Sequence, residues 1–205
     1  MARLIPSATG AMDAAMFERL GSLEKSMILY RPEVLVPVDQ LEGAVCEAFC
    51  DKRREYSIIK TLVASLNGCR YCLGGVVQGL RSATHDEELI RSLIKDPGEA
   101  KLSRRERAMV EYATALTLTP RDLSRSYVEN LRKAGLSDQE IFDLALMTSW
   151  FNMLTRMGPG LGYTLDPQRQ LWEKQIYDKD YAAPAEGSCS GGKEWPLPAP
   201  KRQPG

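Results

Sequence analysis

The chain has 205 residues, and its 27 Lys and Arg balance 27 Asp and Glu. A net charge of zero gives no electrostatic argument for nucleic acid or an acidic membrane as a partner. Hydrophobic residues make up 43%, enough for a sizeable core, and no apolar run is long enough to span a bilayer. No apolar stretch of leader type follows Arg3, so the expectation is a soluble, cytoplasmic protein.

The predicted elements are all helical. Residues 13–30 form a first helix, ended by Arg31-Pro32. Pro37 precedes a second, over residues 39–50. Residues 52–66 continue helically, with Ile58, Ile59, Leu62, Val63 and Leu66 at helical spacing. Asn67-Gly68 breaks the chain, because both residues tolerate positive φ. A new helix covers residues 69–80. Thr84 with Glu87, Ser103 with Glu106 and Ser137 with Glu140 carry capping-box signatures, and Asp96-Pro97-Gly98 is a turn. Met109, Tyr112, Ala113 and Leu116 make one apolar stripe. Ile141, Leu144, Ala145 and Thr148 make another. Gly158-Pro159-Gly160 and Gly162 end the last strong helix, and a short helix follows over residues 168–177.

No period-2 apolar run appears, so no sheet is expected. The fold class is all-α, a compact bundle with two helical halves over residues 1–177. A Pro- and Gly-rich tail follows over residues 178–205 and cannot form its own core. Trp195 in that tail is either an anchor onto a neighbour or solvated, and Cys189 is an exposed thiol.

There are five cysteines, Cys46, Cys50, Cys69, Cys72 and Cys189, and one histidine, His85. An odd count without a secretion signal argues against a disulfide framework. A single histidine excludes an imidazole-rich metal centre by count. The informative run is Asn67-Gly-Cys-Arg-Tyr71-Cys72, where two cysteines open a helix. Free N–H groups and the positive end of the helix dipole favour a thiolate there. Three-residue spacing puts both sulfurs on one side, so one can attack an oxidant and the other resolve it. The alternative is a pair of small core residues. Cys46 and Cys50, at i and i+4, share a helix face. They read as core residues, as a second redox pair, or as partners of Cys69 and Cys72 in a four-thiolate metal site.

The run Ser65-Leu-Asn-Gly-Cys-Arg-Tyr-Cys resembles the signature of the alkylhydroperoxidase D-like family, also called carboxymuconolactone decarboxylase-like. Leu102-Ser-Arg-Arg-Glu-Arg-Ala-Met-Val-Glu-Tyr-Ala, Leu131-Arg-Lys-Ala-Gly-Leu-Ser-Asp-Gln-Glu-Ile and Trp150-Phe-Asn-Met-Leu-Thr-Arg resemble the second helical half of its peroxidase-related members. The resemblance implies an all-α subunit assembled into trimers or hexamers. It implies that Cys72 attacks a peroxide, that Cys69 resolves it as a disulfide, and that a lipoyl or thioredoxin-like reductant restores the dithiol. No cofactor is expected.

Two positions depart from the family. The glutamate twelve residues before the first cysteine is Ser57, and the histidine four residues after the second is Val76, so the proton relay is missing. Glu55 is turned about 200° from Ser57 on the helix. His85 lies about 20 Å along a continuous helix from Cys72. Arg53 and Lys60 share the Ser57 face, and a cation there can depress a thiol pKa without accepting a proton. The apolar positions 73–77 suit a dry pocket. The function expected is a CxxC thiol oxidoreductase acting on a small-molecule hydroperoxide or a disulfide. The alternatives are a carboxymuconolactone decarboxylase-like lyase on a small organic acid, and a non-enzymatic thiolate metal-binding or redox-sensing protein.

Overall fold

The computed structural model describes residues 30–163 and 165–177. The helix expected over residues 13–30, apart from Tyr30, and the tail with Cys189 and Trp195 lie outside the described residues. Eight α-helices account for most of the rest, with no strand among the described residues. They are α1 (Pro32–Ala48), α2 (Arg53–Leu66), α3 (Arg70–Thr84), α4 (Glu87–Lys95), α5 (Arg104–Leu118), α6 (Arg125–Lys133), α7 (Asp138–Leu161) and α8 (Pro167–Tyr177). A 3₁₀ turn at Pro120–Asp122 joins α5 to α6.

Helix α2 lies at the centre. Every residue from Ser57 to Ala64 is buried except Lys60, and α3, α4, α5 and α7 all pack against it. A helix apolar on all sides must be surrounded. The side chains of Leu62, Val63, Leu80, Leu93, Leu144 and Met147 are fully buried and belong to one continuous core. The two predicted halves therefore share that core.

Local chemistry sets the helix ends. Ser103 and Ser137 form the expected capping boxes with Glu106 and Glu140, each cap contributing about 1 kcal/mol. The third expected box is absent. Thr84 instead closes α3, its hydroxyl donating to the Leu80 carbonyl at 2.8 Å. Asp86 caps α4 by accepting from the Leu89 N–H at 2.9 Å. Threonine can bond back onto its own helix, and aspartate is the stronger cap. His85 takes the left-handed turn between the two helices at φ 52°.

Pro37 and Pro159, expected at helix boundaries, both lie inside helices. Helix α1 begins at Pro32 and continues through Pro37. The carbonyl that Pro37 leaves without an N–H partner belongs to Glu33, which is exposed to water. Helix α7 continues through Gly158-Pro159-Gly160 and stops at Gly162, at φ 70°.

Charge pairs tie the bundle together on the side away from the cysteines. Arg105 of α5 reaches Glu55 of α2 at 2.8 Å and Glu140 of α7 at 2.6 Å. The hydrogen bond from the Ser137 backbone, aided by Arg105 and opposed by burial, holds the Glu140 carboxyl down at about 2. Glu55 is thus engaged on the far face, as its position on the helix predicted. On α7, Phe142 and Met153 are 63% and 44% exposed. They lie about three turns apart and so share an outward face.

Candidate active site around Cys69 and Cys72

Helix α2 ends at Asn67, and Gly68 takes positive φ, 61°. Asn67 itself stays right-handed at φ −84°. Its side chain serves another purpose: Nδ2 donates to Asn152 Oδ1 and Thr155 Oγ1 of α7, each at 2.8 Å. Asn152 Nδ2 in turn donates to Thr117 Oγ1 at 3.0 Å and to the Thr148 carbonyl at 2.9 Å. This buried amide network pins the turn that precedes the cysteines. A fully satisfied buried network is rigid and costly to disturb.

Cys69 is the N-cap of α3, and its sulfur accepts the Cys72 N–H at 3.2 Å. The two sulfurs form a disulfide, with 5.3 Å between the Cα atoms. Both cysteines sit in the first turn, where the positive end of the helix dipole stabilises a thiolate, and Cys69 Sγ faces a free N–H there. Their environments differ. Cys69 is 1% exposed, enclosed by the end of α7. A Cβ added to Gly158 would lie 2.7 Å from Cys69 Sγ, so only glycine admits this approach. Cys72 is half-buried and opens into a cavity of about 340 Å³.

Five helices wall that cavity. Helix α3 supplies Tyr71, Cys72, Gly75, Val76 and Gly79; α2 supplies Tyr56, Ser57 and Lys60. Phe151 and Leu154 come from α7, Glu42 from α1 and Arg169 from α8. Ser57 and Val76 thus face the same space as Cys72. The pocket expected beside the thiols is present, but it draws on few of residues 73–77. Of those residues only Gly75 and Val76 line it, while Leu73 and Val77 are buried in the core. A larger cleft of about 540 Å³, bordered by Gly68, Arg70, Leu73 and Ile176, is lined by neither cysteine.

Helix α8 is the part of the site that sequence reasoning missed. Arg70 grips Glu173 through two hydrogen bonds at 2.5 and 2.6 Å. A Cβ added to Gly74 would come within 3.3 Å of Trp172 Cβ, so the missing side chain lets α8 lie close on α3. Arg169, paired with Asp166, stacks its guanidinium 4.0 Å above the Tyr71 ring. The Gly74-Gly75 pair inside a helix was the available signal, since small residues there mark close approach.

The other candidates separate. Lys60 lies in the cavity, and its Nζ donates to Tyr56 Oη at 3.1 Å. Cys46 Sγ lies 2.9 Å from the same hydroxyl. Burial, followed by the hydrogen bond with Cys46, pushes the Tyr56 hydroxyl far above the ordinary phenol range. It therefore keeps its proton. Cys50 and Arg53 are exposed and outside the cavity wall, and His85 is also outside it. The four thiols Cys46, Cys50, Cys69 and Cys72 do not converge: no group of three or more His, Cys, Asp or Glu among the described residues is placed to share an ion.

No protein-family model matches the sequence, and no curated protein does either. Solved structures do match. A peroxidase-related protein from Silicibacter sp. TM1040 superposes with a TM-score of 0.65 at 23% identity, over 76% of this chain and 81% of that one. The alkylhydroperoxidase AhpD core of a peroxidase-related protein from Ralstonia eutropha JMP134 gives 0.66 at 19% identity, over 84% and 96%. The debrominase Bmp8, bound to 2,3,4-tribromopyrrole, gives 0.64 at 16% identity, over 78% and 84%. The chain has the alkylhydroperoxidase D-like fold. That is the fold implied by the motif around Cys69 and Cys72.

Proposed function

We propose that this protein is a thiol oxidoreductase that reduces hydroperoxides or disulfides through Cys69 and Cys72. The supporting observation is the asymmetry of the pair. The two sulfurs are within bonding distance, but only Cys72 lines a substrate-sized cavity. Cys72 attacks, and the enclosed Cys69 resolves the product as a disulfide. A dithiol of lipoyl or thioredoxin type returns the pair to its reduced form. The test is stoichiometric oxidation of the reduced full-length protein. One equivalent of hydroperoxide should remove two hydrogens from the peptide carrying both cysteines, as read by mass spectrometry, and a dithiol should restore them. Failure of either half-reaction discards the reading.

A second reading, a lyase acting on a small organic acid, draws support from the charged groups Glu42, Lys60 and Arg169 in the cavity. Such an enzyme would need no oxidant and would survive blocking of Cys72. The fold also serves the debrominase Bmp8, so the fold alone does not decide between these chemistries.

The protein is further proposed to be a homo-oligomer, a trimer or a dimer of trimers. Phe142 and Met153 leave an apolar face of α7 exposed among the described residues, and zero net charge offers little resistance to association. Light scattering at micromolar concentration should give a mass well above 22.9 kDa; a monomer there would refute the assembly. No described helix is long and apolar enough to cross a membrane.

A further inference from the structure

Lys60 is the one residue between Ser57 and Ala64 that is not fully enclosed, and its side chain is still only 14% exposed. Lysines usually bury the stem and keep the ammonium in water. Here the ammonium is ringed by aromatic faces: its Nζ lies 4.8 Å from the Tyr56 centroid, 4.8 Å from that of Phe151 and 5.6 Å from that of Trp150. Such faces stabilise a cation without neutralising it. One of its three N–H groups goes to Tyr56. Glu42 forms an ion pair with it, Oε1 lying 3.6 Å from Nζ on a side chain that is 45% exposed, without a hydrogen bond. Donor capacity therefore remains for a molecule in the cavity shared with Cys72.

The neighbouring groups narrow its role. Ser57 and Val76 cannot exchange a proton at neutral pH. Arg169 is the other cation on the wall, but a guanidinium does not give up its proton, and this one is engaged by Asp166 and Tyr71. Tyr56 holds its own proton and serves to position Lys60.

We propose that Lys60 is a catalytic residue, the proton donor to the oxygen that leaves when Cys72 opens a hydroperoxide, in place of a glutamate–histidine relay. The inference rests on the thiol oxidoreductase reading. In the first step the Cys72 thiolate attacks the terminal oxygen. An S–O bond forms, the O–O bond breaks, and the alkoxide takes a proton from Lys60 to leave as the alcohol. Cys72 is then a sulfenic acid and Lys60 a neutral amine. In the second step the Cys69 thiol attacks the Cys72 sulfur; the S–S bond forms, the S–O bond breaks, and hydroxide leaves as water with the Cys69 proton. A dithiol reductant later regenerates both thiols and is itself oxidised to a disulfide. The Cys72 proton then passes to the Lys60 amine, which restores the thiolate–ammonium pair.

The test is the rate of Cys69–Cys72 oxidation in the reduced full-length protein after rapid mixing. Three probes are compared: cumene hydroperoxide, whose leaving alkoxide needs a proton; peracetic acid, whose leaving acetate does not; and iodoacetamide, whose alkylation of Cys72, mapped by peptide mass spectrometry apart from the free thiols Cys46 and Cys50, reports thiolate reactivity without an oxygen leaving group. Lys60→Met should slow the cumene hydroperoxide reaction about 10²-fold or more, the usual size of general-acid assistance. The peracetic acid and iodoacetamide rates should stay within a few-fold of wild type. Lys60→Arg, which keeps the charge but cannot transfer a proton, should be as slow as Lys60→Met. Lys60→Gln gives a second neutral variant should the methionine form not fold.

Undiminished cumene hydroperoxide rates in the neutral variants would overturn the proposal. So would equal slowing of all three probes, which would mean that Lys60 only stabilises the thiolate. Wild-type speed in Lys60→Arg would mean that charge alone suffices. Wild-type protein inert to both peroxides, yet alkylated by iodoacetamide at Cys72, would overturn the hydroperoxide reading itself and the Lys60 role with it.

Discussion

Cys72→Ser should abolish oxidation of the protein by hydroperoxide, whereas Cys69→Ser should still consume one equivalent and stop at a sulfenic acid. The difference follows from access. Cys72 borders the cavity, while Cys69 is 1% exposed and enclosed by the end of α7 at Gly158. A sulfur that a peroxide cannot reach can resolve but cannot initiate. In Cys69→Ser the sulfenic acid has no thiol three residues away to condense with, so it should persist long enough for a carbon nucleophile such as dimedone to trap it on Cys72. Mass spectrometry distinguishes the outcomes. A dimedone adduct on Cys69 in the Cys72→Ser protein would reverse the assignment of the two roles.

The double substitution Ser57→Glu with Val76→His should raise hydroperoxide turnover by about 10²-fold, near the lower end of what general acid–base assistance supplies. Both positions line the cavity that holds Cys72, so the grafted side chains would meet there. The gain is set low because Lys60 already stands in the same space. Ser57 is 8% exposed, and a carboxylate buried there without its histidine is penalised. Each single variant should therefore fall below the pair. A folded double variant with unchanged turnover would show that positions 57 and 76 do not converge on the sulfur in the way a relay requires.

Cys46 also changes meaning in the folded protein. By spacing it shares a helix face with Cys50, as core residues, a second redox pair or metal ligands, but Cys50 is exposed while Cys46 turns to the Tyr56 hydroxyl at 2.9 Å. The hydroxyl that receives Lys60 therefore also contacts Cys46. Cys46 thus belongs to the polar backing of the cavity, separate from the Cys69–Cys72 pair.

The amino-acid sequence by itself determined the all-helical fold, since apolar residues recur at helical spacing and no strand period competes. It located the chain break that sets the cysteines at a helix start, because Gly68 alone takes the left-handed backbone there. Its resemblance to the alkylhydroperoxidase D-like family also singled out Ser57 and Val76 as empty relay positions, and helical rotation excluded Glu55 as a substitute. Its errors were local ones of termination. Pro37 and Pro159 break no helix, since tertiary packing supports a helix that has lost one hydrogen bond, and Thr84 yields its capping role to Asp86. Only the tertiary structure decided what stands opposite those empty positions. Glu42, Phe151 and Arg169 come from three helices distant in the chain, and no spacing rule connects them to Cys72. The close approach of Gly158 to Cys69 and of Gly74 to Trp172 was hidden for the same reason. A glycine reads as a turn or a weak helix residue until the neighbour that needs its missing side chain is in place. The burial of Lys60 among aromatic rings was equally out of reach of the sequence, where a lysine at the i+3 position from Ser57 looks like any solvated charge.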